Sequence, residues 1–189
     1  AAAGRVPLRP EPAVTTDETV VLPVYTILVP LLHEAHIVGQ LVAALDGIDW
    51  PRDRLDVKLI VEEDDTATRH AAMHATRGSS YEVVVVPDGA GPRTKPMALQ
   101  YALTFARGSL ITIYDAEDRP HPGQLKEAFE TFRRADEGLA CLQAPIVIDN
   151  ARQNLITRLF AIEYSTVFDG ILPALAQLRL PLPLGGTSN

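Results

Sequence analysis

Three carboxylates fall within the four residues Asp115-Ala116-Glu117-Asp118, directly after the apolar run Ile111-Thr112-Ile113-Tyr114. Alternate side chains of an extended segment point the same way, so Asp115 and Glu117 share a side. Two hard oxygen donors suit Mg²⁺ or Mn²⁺, ions that keep coordination positions open for a substrate diphosphate. A polar loop capping the next helix is the plainer alternative. A second acidic group, Glu62-Glu63-Asp64-Asp65, follows the apolar run Val57 to Val61. A third run, Tyr25 to Val29, ends in Pro30-Leu31-Leu32-His33-Glu34. Carboxylates gathered on one edge repel unless a cation or hydrogen-bond donors relieve them. Lys95 supplies positive charge suited to a phosphate. Glu63 or Asp64 suits the hydroxyls and ring nitrogens of a nucleoside, with Glu62 and Asp65 left as solvated neighbours.

The elements that must position these residues follow from hydrophobic period and turn chemistry. Strands are expected at Tyr25–Val29, Val57–Val61, Glu82–Val86 and Leu110–Tyr114, with a fifth over Leu139–Ile148 interrupted by Pro145. Helices are expected over Glu34–Leu45, Thr68–Ala75, a segment opened by Pro96 and stopped by Gly108, and Pro122–Ala135. In these helices Ile37, Leu41 and Leu45 form one stripe, Met97, Tyr101 and Phe105 another, and Leu125, Phe129 and Phe132 a third. Strands alternating with helices imply a mainly parallel sheet covered on both faces, with ligands at the carboxyl ends of its strands. Residues 154–178 form an unusually apolar helical pattern. Arg158, Glu163 and Asp169 interrupt it, so it is expected to lie against the domain or at a membrane surface rather than to cross a bilayer. Residues 1–23 read as a linker and 24–189 as one domain.

The 189 residues carry a formal net charge of −7, which gives no basic footprint for nucleic acid. Cys141 is the only cysteine. Its apolar context reads as core, and a lone thiol fits a reducing compartment without a disulfide or thiolate metal cluster. His70 and His74 have zinc-ligand spacing, but Ala71 follows His70 where the metalloprotease motif needs Glu, so they read as solvent-facing. No Gly-x-Gly-x-x-Gly, phosphate-loop Gly-Lys-Ser/Thr or Gly-x-Ser-x-Gly is present, which argues against a Rossmann dehydrogenase, a P-loop NTPase and a common serine hydrolase.

The order and spacing of these motifs resemble a family 2 glycosyltransferase of the GT-A fold, of the processive bacterial type related to cellulose and hyaluronan synthases. The likeness runs from about Tyr25 to Asn189. Thr26 to Glu34 resembles the family's first strand and Pro-x-x-x-Glu turn. Glu63-Asp64 resembles the acidic pair at the uracil and ribose. Lys95 to Ala102 is similar to the Lys-centred helix start, with Gln100 where Asn is usual. Asp115-Ala116-Glu117 is similar to the Asp-x-Asp motif, with Glu in the third position. Gly185 to Asn189 resembles the segment bordering the acceptor pocket. The later Thr-Glu-Asp-like base motif and the Gln-x-x-Arg-Trp motif have no counterpart, and Trp50 lies in an early loop.

The resemblance implies an α/β, Rossmann-like GT-A domain, incomplete at its C-terminus. It further implies an inverting, metal-dependent transfer of sugar from a UDP- or GDP-type donor to a glycan or lipid acceptor. Asp115 and Glu117 would hold Mg²⁺ or Mn²⁺. Pro30, Leu32, Glu34, Glu63, Asp64, Lys95, Asp115, Gly186 and Thr187 would contact donor or acceptor. No residue is assigned as the base, so the fragment is expected to be soluble and inactive alone. The parent protein is expected to be membrane-associated, at the cytoplasmic face of a bacterial inner membrane. The alternatives are a sugar-phosphate nucleotidylyltransferase and a non-catalytic nucleotide-sugar-binding domain.

Overall fold

The computed structural model describes residues 21–185 apart from positions 136 and 179. Four parallel strands stand in the order β3-β2-β1-β4. They are β1 Tyr25–Leu31, β2 Leu55–Glu62, β3 Glu82–Val86 and β4 Leu110–Ile113. Tyr25 pairs with Leu55 on one side and Leu110 on the other, so all the carboxyl ends lie on one edge. The chain runs from β1 outward to β3, then returns to place β4 on β1's other side. That reversal makes the crevice between β1 and β4 the topological switch point, where open α/β sheets take their ligands.

Strand alternation sends two residue sets to opposite faces. Ile27, Val29, Leu31, Val57, Leu59 and Val61 pack against α1 (Val38–Asp46), α2 (Thr66–Ala75) and α4 (Gln124–Arg134). Leu28, Ile60, Val84 and Val86 face α3 (Lys95–Leu103), whose buried residues are Ala98 and Ala102. Partly buried Leu99 and Tyr101 pack against the same cluster, so of the stripe Met97, Tyr101 and Phe105 only Tyr101 joins this core, and Phe105 lies beyond the helix end and is exposed. Trp50 is core: it meets Tyr25 and Phe129 edge-on at ring-centroid distances of 5.6 and 5.8 Å.

Gly108 is not the residue that stops α3, which already ends at Leu103. It brings the chain hard against β1, where an added Cβ would stand 2.5 Å from the Thr26 amide nitrogen. Its own amide donates to Thr26 Oγ1 at 2.8 Å.

Three expectations are corrected. Residues 139–148 form no strand. Pro145 has no amide to donate, and Gln143 instead accepts the Gly185 amide at 2.6 Å. Cys141 is exposed, because without a ladder the segment is not drawn into the sheet. The C-terminal helical pattern forms α5 (Leu155–Ser165), a wider π-type stretch (Thr166–Ile171) and α6 (Leu172–Gln177), and Asn154 closes a capping box with Thr157. This run of 23 residues is long and apolar enough, by length and composition alone, to cross a membrane. Arg158, Glu163 and Asp169 are too few among 23 residues to pull its average hydropathy down, although they interrupt the apolar run.

Candidate functional site

The loops that follow β1, β2, β3 and β4 meet on the carboxyl edge. Between them lies a pocket of about 200 Å³ lined by Pro30, Leu31, Leu32, Glu34, Ile60, Glu62, Arg93, Thr94, Lys95, Ala98 and Asp115. That is below the roughly 300–1,000 Å³ of a complete small-molecule site, room for only part of a ligand of that class. Of the residues expected from sequence, Pro30, Leu32, Glu34, Lys95 and Asp115 are brought together here. Glu117 is exposed beside them. Gly186 and Thr187 lie outside the described residues.

Lys95 opens α3 with Thr94 as its N-cap and Pro96 in the first turn, where a missing amide costs no helix bond. Its ammonium pairs with Asp115 at the end of β4. Asp115 is held by a tight turn: its amide donates to Asp118 Oδ2 at 2.8 Å, and the Asp118 amide donates to the Asp115 carbonyl at 3.0 Å.

Glu34 is the most telling group. Its Oε2 is buried and has no hydrogen-bond partner among the described residues. Burial raises its pKa above the ordinary carboxylate value, and repulsion from Glu117 and then Asp115 raises it further, against a smaller opposing pull from His36. Three carboxylates thus feel one another across the β1–β4 crevice. The turn that presents Glu34 is anchored from α2. His33 sits at φ 60°, a left-handed conformation unusual for a side-chain-bearing residue. Asp65 accepts its amide at 2.6 Å, while Thr68 Oγ1 accepts the Glu34 amide at 3.0 Å.

The acidic run after β2 divides its labour. Glu62 lines the pocket. Glu63 accepts the Asp88 amide at 2.9 Å and so braces the β3–α3 loop. Asp64 pairs with Arg93 at 2.5 Å. Asp65, expected to be solvated, is buried with a side chain only 4% exposed. It caps α2 by accepting the Thr68 amide at 3.1 Å. Burial raises its pKa, but hydrogen bonds from His33 and Thr68 outweigh that and hold it below the usual range. Sequence reasoning missed Glu62 and Arg93 in the pocket. Period-2 alternation with Ile60 places Glu62 on the α3 face and was the available signal. Arg93, two residues before Lys95 in an irregular loop, gave none.

A larger pocket of about 270 Å³ lies between β4, α4 and residues 140–145. It carries one carboxylate, Glu127, and no lysine or arginine among its lining residues, so its chemistry does not match a phosphate-bearing ligand. Among the described residues no set of three His, Cys, Asp or Glu side chains is arranged to hold a metal ion. The chemistry of the carboxyl edge nonetheless suits a hard divalent cation in part: Asp115 and Glu117 are carboxylates that would offer it oxygens, and the Glu34 oxygen without a partner among the described residues marks negative charge left unrelieved.

Residues 23–173 match the family described as glycosyltransferase like family 2. A probable glycosyltransferase of Bacillus subtilis, YdaM, is 26% identical over 146 residues, which are 75% of this chain and 34% of that protein. Cellulose synthase 2 of Novacetimonas hansenii is 35% identical over 143 residues, 75% of this chain and 8% of that one. The chain therefore spans about a third or less of these relatives' length. Among solved structures, the mannosyltransferase PcManGT of Pyrobaculum calidifontis, in complex with GDP-Man and Mn²⁺, superposes with a TM-score of 0.55 at 25% identity. That match covers 66% of this chain and 37% of that one. The sheet and its helices are thus a partial GT-A-type α/β domain.

Proposed function

The chain belongs to the family 2 glycosyltransferases, and from that premise we propose that it is the nucleotide-sugar-binding part of an inverting, metal-dependent enzyme. The donor is a UDP- or GDP-type sugar and the acceptor a glycan or lipid. The observation that carries this reading is the convergence of Glu34, Lys95 and Asp115, from three separate loops, on one crevice at the switch point. The solved mannosyltransferase with GDP-Man and Mn²⁺ supports the donor class and the metal.

In this reading Asp115 and Glu117 hold Mg²⁺ or Mn²⁺, which supplies Lewis-acid neutralisation of charge on the departing diphosphate. Lys95, already at the mouth, adds positive charge beside the phosphates. Leu32 and Pro30 shape the wall, while Glu34 and Asp64 orient the nucleoside by accepting its hydrogen bonds. Glu63 acts through the loop it braces. Gly186 and Thr187 are assigned to the acceptor side by resemblance alone. The base that deprotonates the acceptor hydroxyl is not assigned to any residue of this chain, which is therefore expected to bind donor without transferring sugar. The parent protein is read as associated with the cytoplasmic face of a bacterial inner membrane.

Calorimetry of UDP and GDP with and without Mn²⁺ tests the site. Metal should tighten binding to the wild type. Asp115→Ala with Glu117→Ala should remove that enhancement, on the order of 100-fold for two lost charged ligands. Undiminished metal-dependent binding by the double variant would defeat the assignment.

A further inference from the structure

Arg93 stands at the same pocket as Lys95 and Asp115 but belongs to no role assigned above. The charge balance there is unfavourable for a diphosphate. Glu34, Glu62 and Asp115 line the pocket, with Glu117 close by, whereas Arg93 and Lys95 are the only cationic side chains lining it among the described residues. Lys95 is engaged with Asp115. A divalent ion on Asp115 and Glu117 would leave the remaining acidic rim facing the incoming phosphates, and like charges at that range are costly.

Arg93 is held in a way that favours exchange. One guanidinium nitrogen donates to Asp64 at 2.5 Å and another to Asp88 at 2.9 Å, so the fork is split between two carboxylates. Its side chain is 51% exposed, and those of Asp64 and Asp88 are 44% and 60% exposed. Ion pairs this open contribute little, because water solvates the separated groups nearly as well. A phosphate offers the same fork two oxygens in one plane, a geometry that guanidinium matches better than any other side chain. The loop that carries Arg93 has Gly89 at φ 88° and Gly91 at φ 141°, conformations that let it turn tightly.

The contact with Asp64 makes the exchange directional. Asp64 is expected to accept hydrogen bonds from the nucleoside, yet its carboxylate is occupied by Arg93. A nucleoside that takes Asp64 releases the guanidinium beside the position of the phosphates. We propose that Arg93 is an exchangeable diphosphate-binding residue: its guanidinium, shared between Asp64 and Asp88, turns to the donor's phosphates when the nucleoside claims Asp64. This rests on the nucleotide-sugar reading and adds to it a residue and an order of events.

The test compares UDP with uridine, and GDP with guanosine, by calorimetry at fixed Mn²⁺. Wild type, Arg93→Ala and Arg93→Lys are measured after their circular dichroism spectra are shown to coincide. Arg93→Ala should weaken the diphosphate roughly ten- to 100-fold, the worth of one or two charge-assisted bonds, and leave the nucleoside unchanged or tighter. Arg93→Lys should recover only part, since it keeps the charge and loses the fork. Diphosphate affinity equal to wild type, or tightened in step with the nucleoside, would overturn the proposal and reduce Arg93 to a mask over Asp64. Equal weakening of nucleoside and diphosphate would overturn it as well. A wild type that binds neither UDP nor GDP would instead fail the donor reading itself, before any variant is compared.

Discussion

The two edges of the sheet carry the same residue types to opposite ends. At the amino edge Asp56 on β2 is 1% exposed and fully engaged. Thr26 Oγ1 donates to its Oδ2 at 2.9 Å, the Arg107 amide donates to the same oxygen at 3.0 Å, and Arg107 Nε donates to Oδ1 at 2.9 Å. Lys58, with a side chain only 2% exposed, sits 3.1 Å from Asp56 and also pairs with Glu82. At the carboxyl edge, buried Asp65 apart, the charges are more exposed, their pairs are split or open to solvent, and one oxygen of Glu34 has no partner among the described residues. Helix α3 links the two, with Lys95 at its start on the open edge and Arg107 just past its end on the closed one. A buried charge network that is fully satisfied fixes register, whereas one left incomplete is a place for a ligand to finish.

Breaking the closed edge should have the largest effect on folding. Asp56→Ala leaves Lys58 buried without its β2 partner and should cost about 3–5 kcal/mol, read from urea unfolding at neutral pH. Burial pushes the Asp56 pKa up, but the Arg107, Lys58 and Thr26 hydrogen bonds outweigh it and hold it below the ordinary carboxylate range. Its contribution is therefore complete above that range and lost as pH falls through the depressed value, so wild type and variant should converge in acid. Gly108→Ala tests the same edge more gently. The new methyl would also meet the Val24 carbonyl oxygen at 2.7 Å, and the shift it forces should cost about 1–3 kcal/mol.

The open edge should respond with the reverse sign. Glu34 has a raised pKa, so its contribution is present below the ordinary carboxylate range and is lost as pH rises through the raised value. At neutral pH the chain carries that charge at a loss. Glu34→Gln should raise the melting temperature by about 1–2 °C at pH 7, on the order of 0.5 kcal/mol, and change nothing near pH 4. A lower melting temperature at pH 7 would mean that Glu34 serves the fold, and the contrast between the edges would dissolve.

Much of this arrangement was legible in the residues themselves. The apolar runs located four strands because a parallel sheet buried on both faces makes their residues mostly apolar, with Thr26, Asp56 and Lys58 as buried polar exceptions near the amino ends of β1 and β2. Pro96 located the start of α3 through its missing amide. The segment 139–148 misled, since an apolar run acquires a strand's backbone only with a partner ladder, and Gln143 bonds Gly185 instead. The apolar helical pattern from residue 154 located α5, but nothing local says what meets its exposed Leu155, Ile156 and Leu159.

The run Glu62-Glu63-Asp64-Asp65 divides what sequence determined from what tertiary structure decided. Sequence alone determined that four carboxylates follow a buried strand, and that crowding of this kind requires cations or donors nearby. Their four fates were settled by groups distant in the chain: the pocket wall for Glu62, the Asp88 amide for Glu63, Arg93 for Asp64, and the His33 turn for Asp65. The reason is geometric. Strand alternation assigns directions only while the chain stays extended, and once it turns, each side chain goes to whichever donor the packed loops bring within about 3 Å.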